Sequence, residues 1–315
     1  MLLKGIDFGP ICGASGVQGF FGEGYWYHRV LKPVGLDFRG MTFVAKTTTL
    51  NPRKGNMPLR RNFTPCEILP ESIVVRPLKG IALNAVGLSG PGAKALFEQQ
   101  LWQRRKEPFF ISFMSVAENP TLRIEELAAF VELFHKYLPH FKAPVGLQIN
   151  YSCPNVGLHM EELVHEVKSG LDIAFSLKIP VVPKFNLMLP AETAADIAEH
   201  RACDALCISN TIPWGQFPDR IDWNTLFPGG KSPLERFGGG GLSGKPLLPL
   251  LLEWLIAARE SGLKKQINAG GGILSLRDAE RVFQAGADSV FLGSIAFLRP
   301  WRIRKIISGI NSQRA

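Results

Sequence analysis

Short apolar runs alternate along this chain with longer stretches in which apolar residues return every third or fourth position, and glycine or polar residues mark the junctions. A run of about four to eight apolar residues suits a strand buried on both faces, and the longer spacing suits a helix packed on such a strand. Eight runs predict strands: 41–47 (MTFVAKT), 81–86 (IALNAV), 109–115 (FFISFMS), 145–152 (VGLQINYS), 181–186 (VVPKFN), 205–211 (ALCISNT), 266–270 (QINAG) and 289–293 (SVFLG). From Ile124 onward, Ile124, Leu127, Val131, Phe134 and Leu138 share one helical face, with Glu125, Glu132 and Lys136 off it. Near the end, Ile303, Ile306, Ile307 and Ile310 share another, and Arg302, Arg304 and Lys305 fall outside it. That basic stretch reads as the solvated face of a packed helix and not as a nucleic-acid tail.

Strands alternating with helices predict an α/β protein, a (β/α)8 TIM barrel. An N-terminal segment, residues 1–40, is expected to pack on the barrel, and loop insertions interrupt it between Asn56 and Gly80 and between Ile212 and Leu242. No composition shift marks a second domain, so residues 1–315 read as one. The 46% hydrophobic content makes disorder untenable, and 32 glycines with 23 prolines disfavour a helical bundle. The net charge of +9 fits an anionic ligand without requiring nucleic acid. Five widely spaced cysteines, the lack of a signal-like N-terminus and the absence of an apolar run near the roughly 18 residues of a membrane span point to a cytoplasmic protein.

A barrel gathers its chemistry where strands end and loops begin. Those ends carry Lys46-Thr47, Asn84, Ser115, Asn150 through Asn155, Lys184 with Asn186, Asn210-Thr211, Gly270-Gly271-Gly272 and Gly293-Ser294. Carboxylate and histidine clusters are missing from this set, so no metal site is expected; Cys203 and Cys207 near His200 lack a second ligand pair. Asparagine amides offer donors and acceptors in fixed geometry, which suits a flat heterocycle of alternating C=O and N–H groups. The glycine turns after the last two strands suit a phosphate. Gly13-x-x-Gly16-x-x-Gly19 lacks the strand-then-helix context of a dinucleotide fingerprint, so a mononucleotide-sized cofactor is favoured over NAD. In Asn150-Tyr151-Ser152-Cys153-Pro154-Asn155, the cysteine has no local histidine partner, which favours a general base over acyl-thioester chemistry.

The ordered set of Ala14-Ser15-Gly16, Lys46-Thr47, NPRKGN at 51–56, Asn84-Ala85-Val86-Gly87-Leu88, the hexapeptide at 150–155, Lys184, Asn210-Thr211, Gly241-Leu242-Ser243-Gly244, the turn at 270–272 and Gly293-Ser294 resembles the dihydroorotate dehydrogenase family. The resemblance implies a flavoprotein barrel carrying FMN, with Ala14, Ser15, Lys46, Thr47, Asn150, Lys184, Ser209 and Gly244 around the flavin and ribityl chain. It implies that Gly271, Gly272, Gly293 and Ser294 hold the phosphate. Lys46, Asn84, Ala85, Val86, Gly87, Leu88, Asn150, Asn155, Asn210 and Thr211 would meet the substrate, Lys46 offsetting its carboxylate. The implied reaction is oxidation of (S)-dihydroorotate to orotate in de novo pyrimidine biosynthesis, with Cys153 as general base and hydride passing to the flavin.

Cysteine in place of serine at position 153 resembles the soluble, class 1 branch of the family. That branch implies a homodimer reoxidised by fumarate, or a chain that reaches NAD through an iron–sulfur flavoprotein subunit. Three stretches depart from the family pattern: the long Met57 to Lys79 connection with Cys66, Val86-Gly87-Leu88-Ser89-Gly90, and Ile212-Pro213-Trp214-Gly215. They touch substrate-facing loops, so two alternatives stay open. One is an FMN barrel acting on another dihydropyrimidine, of dihydrouracil or tRNA dihydrouridine type, and the other is a non-catalytic flavin-binding barrel.

Overall fold

A computed structural model describes residues 1–151 and 160–314. In chain order its strands are β1 (Leu2–Leu3), β2 (Ile6–Asp7), β3 (Ile11–Gly13), β4 (Phe43–Val44), β5 (Ile73–Arg76), β6 (Ile81–Asn84), β7 (Phe109–Phe113), β8 (Val145–Asn150), β9 (Val181–Phe185), β10 (Ala205–Ile208), β11 (Ile212–Pro213), β12 (Gly241–Gly244), β13 (Gln266–Ala269) and β14 (Ser289–Leu292). Eight of them pair in the order β3, β14, β13, β10, β9, β8, β7, β4, every pair parallel. The two ends of this sheet meet: the Gly13 N–H donates to the Thr42 carbonyl at 2.8 Å, and the Thr42 N–H donates to the Ile11 carbonyl at 2.9 Å. The sheet is thereby closed into the expected (β/α)8 barrel, with no edge left to the solvent.

Alternation along the strands fills the barrel. Cys12, Val44, Phe110, Val182, Cys207 and Phe291 form one buried inner cluster, joined by Leu3 of the antiparallel β1–β2 hairpin and by Phe8 just after it. Phe8 stacks on Phe110 at 4.2 Å, so the hairpin seals the end at which the strands begin. Helices pack outside. Asn119 accepts the Leu122 N–H and Pro120 follows it, starting Pro120–Tyr137, which buries Leu127, Phe130, Val131 and Phe134. In the last helix, Ile303, Ile306, Ile307 and Ile310 are all buried, as their spacing predicts. No helix among the described residues is long and apolar enough to cross a membrane.

One strand expected in the barrel lies elsewhere. Residues 81–84 form β6 in an antiparallel four-stranded sheet ordered β11, β12, β6, β5, and the barrel's first strand is instead Ile11–Gly13, inside the segment expected to pack outside it. A four-residue apolar run buried at the centre of a sheet reads alike in either orientation, and a three-residue strand is too short to show a period. The two insertions supply the rest of that sheet: β5, which pairs with β6, comes from the first, and the start of β12, which pairs with β6 on the other side, comes with its own partner β11 from the second. Arg76 and Lys79 clamp them further by donating to the Leu226 carbonyl at 2.8 and 3.2 Å. The insertions thus build a roof over the barrel mouth.

Beside that mouth, Arg123 donates to both carboxylate oxygens of Glu166 at 2.8 and 2.7 Å, tying helix Pro120–Tyr137 to helix Met160–Phe175. Both side chains are more than 90% buried. Removing one member strands the other charge away from water, which costs far more than the pair is worth over an apolar substitute. Glu166→Ala is expected to lower stability by about 3–5 kcal/mol, read as a fall in the urea midpoint. A change below about 1 kcal/mol, the scale of an exposed pair, would show that the pair does not join the helices.

Candidate active site

The alternation that fills the barrel also places its chemistry. Two residues beyond the inner cluster, on the same inward face, come Ala14, Lys46, Ser112, Lys184 and Ser209, and Asn150 ends β8 beside them. Lys46 is 8% exposed and Lys184 4%. Lys46 Nζ donates to the Ser89 carbonyl at 2.6 Å and lies 4.8 Å from the centre of the Phe20 ring. Lys184 Nζ reaches Ser15 Oγ at 3.5 Å and lies 5.2 Å from the Phe291 ring. Neither ammonium forms an ion pair among the described residues. Burial pushes Lys46 down to about 8, partly offset by Glu23, and lowers Lys184 from its ordinary value too.

Hydroxyls and amides complete the floor. Thr47 Oγ1 donates to Ser15 Oγ at 3.2 Å and lies 2.9 Å from Ser112 Oγ. Asn210 Nδ2 donates to Asn150 Oδ1 at 3.2 Å, and Asn210 Oδ1 accepts the Thr211 N–H at 2.8 Å. Ser209 Oγ donates to the Gly270 carbonyl at 3.0 Å, joining the ends of β10 and β13.

The glycine turns are shaped by contact. At Gly272, with φ of +75°, a Cβ would stand 2.7 Å from the Gly244 carbonyl oxygen and 2.8 Å from the Leu248 nitrogen. A Cβ on Gly293 would stand 3.0 Å from that of Ala14. A side chain is excluded at Gly272 and crowded at Gly293, so the cavity wall at both positions is backbone. In the roof, Ala85 to Leu88 is held from outside: Asn56 Nδ2 donates to the Ala85 carbonyl at 2.8 Å and Arg53 Nε to the Gly87 carbonyl at 3.0 Å. Both line the cavity, and sequence reasoning assigned neither to the site, although both lie in the motif at 51–56.

A cavity of about 2500 Å³ joins these parts and continues past Tyr25, Tyr27 and His28 of the N-terminal segment. It brings together the expected Ala14, Ser15, Lys46, Thr47, Asn150, Lys184, Ser209, Gly271, Gly272, Gly293 and Ser294 with Asn84, Ala85, Val86, Gly87, Leu88, Asn210 and Thr211. Gly244 is set behind Gly272 instead of on the wall. Cys153 and Asn155 lie outside the described residues. Burial pushes the thiols of Cys12 and Cys203 up to about 12 and that of Cys207 to about 11, so these three stay protonated. Among the described residues, no group of three or more His, Cys, Asp or Glu could hold a metal ion.

Fold and mouth together define a (β/α)8 barrel enzyme with an anion-attracting floor beneath an amide-rich roof. More specifically, the chain belongs to the dihydroorotate dehydrogenase family, whose model, described as Dihydroorotate dehydrogenase, matches residues 3–313. It is 29% identical over 308 residues to "Dihydroorotate dehydrogenase B (NAD(+)), catalytic subunit" of Thermoanaerobacter pseudethanolicus, covering 96% of this chain and 88% of that one. To "Dihydroorotate dehydrogenase A (fumarate)" of Lacticaseibacillus paracasei it is 30% identical over 305 residues, covering 94% and 91%. These relatives agree with the expected class 1 assignment, and the chain is an oxidoreductase acting on a CH–CH bond. The solved Eimeria tenella structure of the enzyme with ferulenol superposes with a TM-score of 0.65 over 99% of this chain and 84% of that one; at 19% identity this is a likeness of fold.

An anion held by Lys46 would bind with a pH dependence set by that residue's lowered value. Its charge is complete well below about pH 8 and is lost as pH rises through that value. The dissociation constant of orotate is therefore expected to be flat near pH 6 to 7 and to rise toward about tenfold per pH unit above pH 8, measured by titration at constant ionic strength. An affinity unchanged between about pH 7 and pH 9 would remove Lys46 from the anion site.

Proposed function

We propose that this chain oxidises (S)-dihydroorotate to orotate with bound FMN, in de novo pyrimidine biosynthesis, with Cys153 as general base. The observation that carries this reading is the pair of buried, carboxylate-free ammoniums, Lys46 and Lys184, on the inward layer of a barrel whose last two strands end in glycine turns. Such a floor fits a molecule bearing a phosphate at one end and, at the other, a ring whose carbonyl and nitrogen acceptors face buried donors. The turns at Gly271-Gly272 and Gly293-Ser294 would hold the phosphate by backbone N–H groups, a Cβ being crowded at each of the three glycines. Ser15, Thr47, Lys184 and Ser209 would lie along the ribityl chain and ring. FMN, when bound, supplies a hydride acceptor.

The chain's own residues then have defined tasks. Lys46 would meet the substrate carboxylate, and the Asn150–Asn210 pair, with Asn84 and Asn155, would match the ring's C=O and N–H groups. The Cys153 thiolate would take the C5 proton while the C6 hydrogen leaves with its electron pair, so a C5–C6 double bond forms and two electrons depart. Fumarate could enter the same cavity to return the enzyme to its oxidised form, and NAD+ would require a partner subunit of the kind implied by the relatives named as catalytic subunits. Addition of each acceptor to the reduced protein separates these routes.

The test is anaerobic titration of the FMN-loaded protein with dihydroorotate, which is expected to bleach the flavin absorbance. Bleaching by dihydrouracil or dihydrouridine but not by dihydroorotate would move the chain to another dihydropyrimidine. Cys153→Ala is expected to retain FMN and slow the bleaching about 10²- to 10⁴-fold, and unchanged bleaching would exclude Cys153 as base.

A further inference from the structure

The floor holds Lys46 charged and buried without neutralising it, and the groups that do so lie on a segment whose composition announces no site. Phe20 is fully buried and carries the ring beneath the Lys46 ammonium at 4.8 Å. It is fixed from three sides. Trp102 Nε1 donates to its carbonyl at 2.6 Å, its own N–H donates to Glu23 at 2.9 Å, and a Cβ on Gly90 would stand 3.2 Å from the tip of the ring. The Lys46 N–H donates to the Gly19 carbonyl at 2.9 Å, so backbone and side chain of the lysine are referred to the same turn.

We propose that Phe20 is a positioning residue for the reaction: with the Ser89 carbonyl it holds the Lys46 ammonium over an aromatic face, keeping the charge uncompensated for a carboxylate-bearing ring. This rests on the functional reading above, in which Lys46 meets the substrate carboxylate. A carboxylate partner would stabilise the ammonium better but would cancel the charge the substrate needs. An aromatic face and a carbonyl attract a cation while carrying no net charge, and they leave +1 at the cavity floor. Glu23 is the titratable group acting on Lys46, at longer range, and its two oxygens are engaged by the N–H groups of Phe20 and Phe21 at 2.9 and 2.7 Å. The arrangement therefore selects an anionic ring over a neutral ring of the same shape.

The experiment compares orotate with uracil, the same ring without the carboxylate, across pH in the FMN-loaded wild-type protein and in Phe20→Leu. Loss of the aromatic face removes a contact that favours the charged lysine, so the pH at which orotate affinity begins to fall is expected to move down by about half a unit or more. At pH 8 orotate should bind about 2- to 10-fold more weakly in the variant, with uracil affinity unchanged. A general disturbance of the fold would weaken both ligands alike, and that result, or an unmoved inflection, overturns the proposal. A wild-type protein with no affinity for orotate overturns the functional reading and this inference together, whereas wild-type affinity with no separation of the two ligands overturns this inference alone.

Discussion

Everything at the mouth depends on closure of the sheet between β3 and β4, through two hydrogen bonds that Thr42 makes to Gly13 and Ile11. An open parallel sheet would leave Ile11–Gly13 as an unpaired edge, and its inward and outward faces would not be set by the strands opposite. Once the ring is closed, the period of two is common to all its members. Cys12, Val44, Phe110, Val182, Cys207 and Phe291 are committed to the interior, and the residues two further along must project into the space above them. The polar layer is thus a geometric consequence of the apolar one beneath it.

That layer is held against the usual preference of charge for water. Two ammoniums buried without carboxylates carry a desolvation cost, visible in the lowering of Lys46 and Lys184 by burial. The rest of the fold supplies the stability to bear it: an apolar interior, a hairpin that seals the far end, and helices such as the last one, whose four isoleucines are fully covered. A strained or charged site persists only where its surroundings leave it no alternative, and here the surroundings are strand ends pinned by neighbours on both sides.

Much of this was legible in the chain. Long periodic segments announced their helices, and seven of the eight expected strands lie in the barrel, because a fully buried strand, even one as short as Phe43–Val44, sits within a visible apolar run. The remaining strand shows the limit: Ile81–Asn84 has the composition of a barrel strand, and only its partners, β5 and β12, reveal that it belongs to the roof. Residues whose own side chains meet the cavity could be found from their place at strand ends. Arg53 and Asn56 come into view only as part of the motif at 51–56, because their hold on the backbone of Ala85 to Leu88 is a tertiary contact; Phe20 faces a lysine 26 positions away, and a contact of that kind leaves no local pattern to read. Gly244 shows the converse, a motif glycine off the cavity wall, whose carbonyl oxygen stands 2.7 Å from where a Cβ on Gly272 would lie.

The roof has one further consequence, which concerns the order in which the molecule comes together. On one side β6 pairs with β5, a few residues back along the chain; on the other it pairs with β12, Leu83 opposite Leu242. The first pairing closes a short loop, and the second must bring together segments separated by half the barrel. The local hairpin can form early, but its long-range partner is expected to be seated only after the intervening strands and helices have folded and fixed the distance to be spanned. The roof then acts as a seal on completed assembly: a chain whose barrel is only partly built has the residues of the site but no enclosed chamber in which to use them.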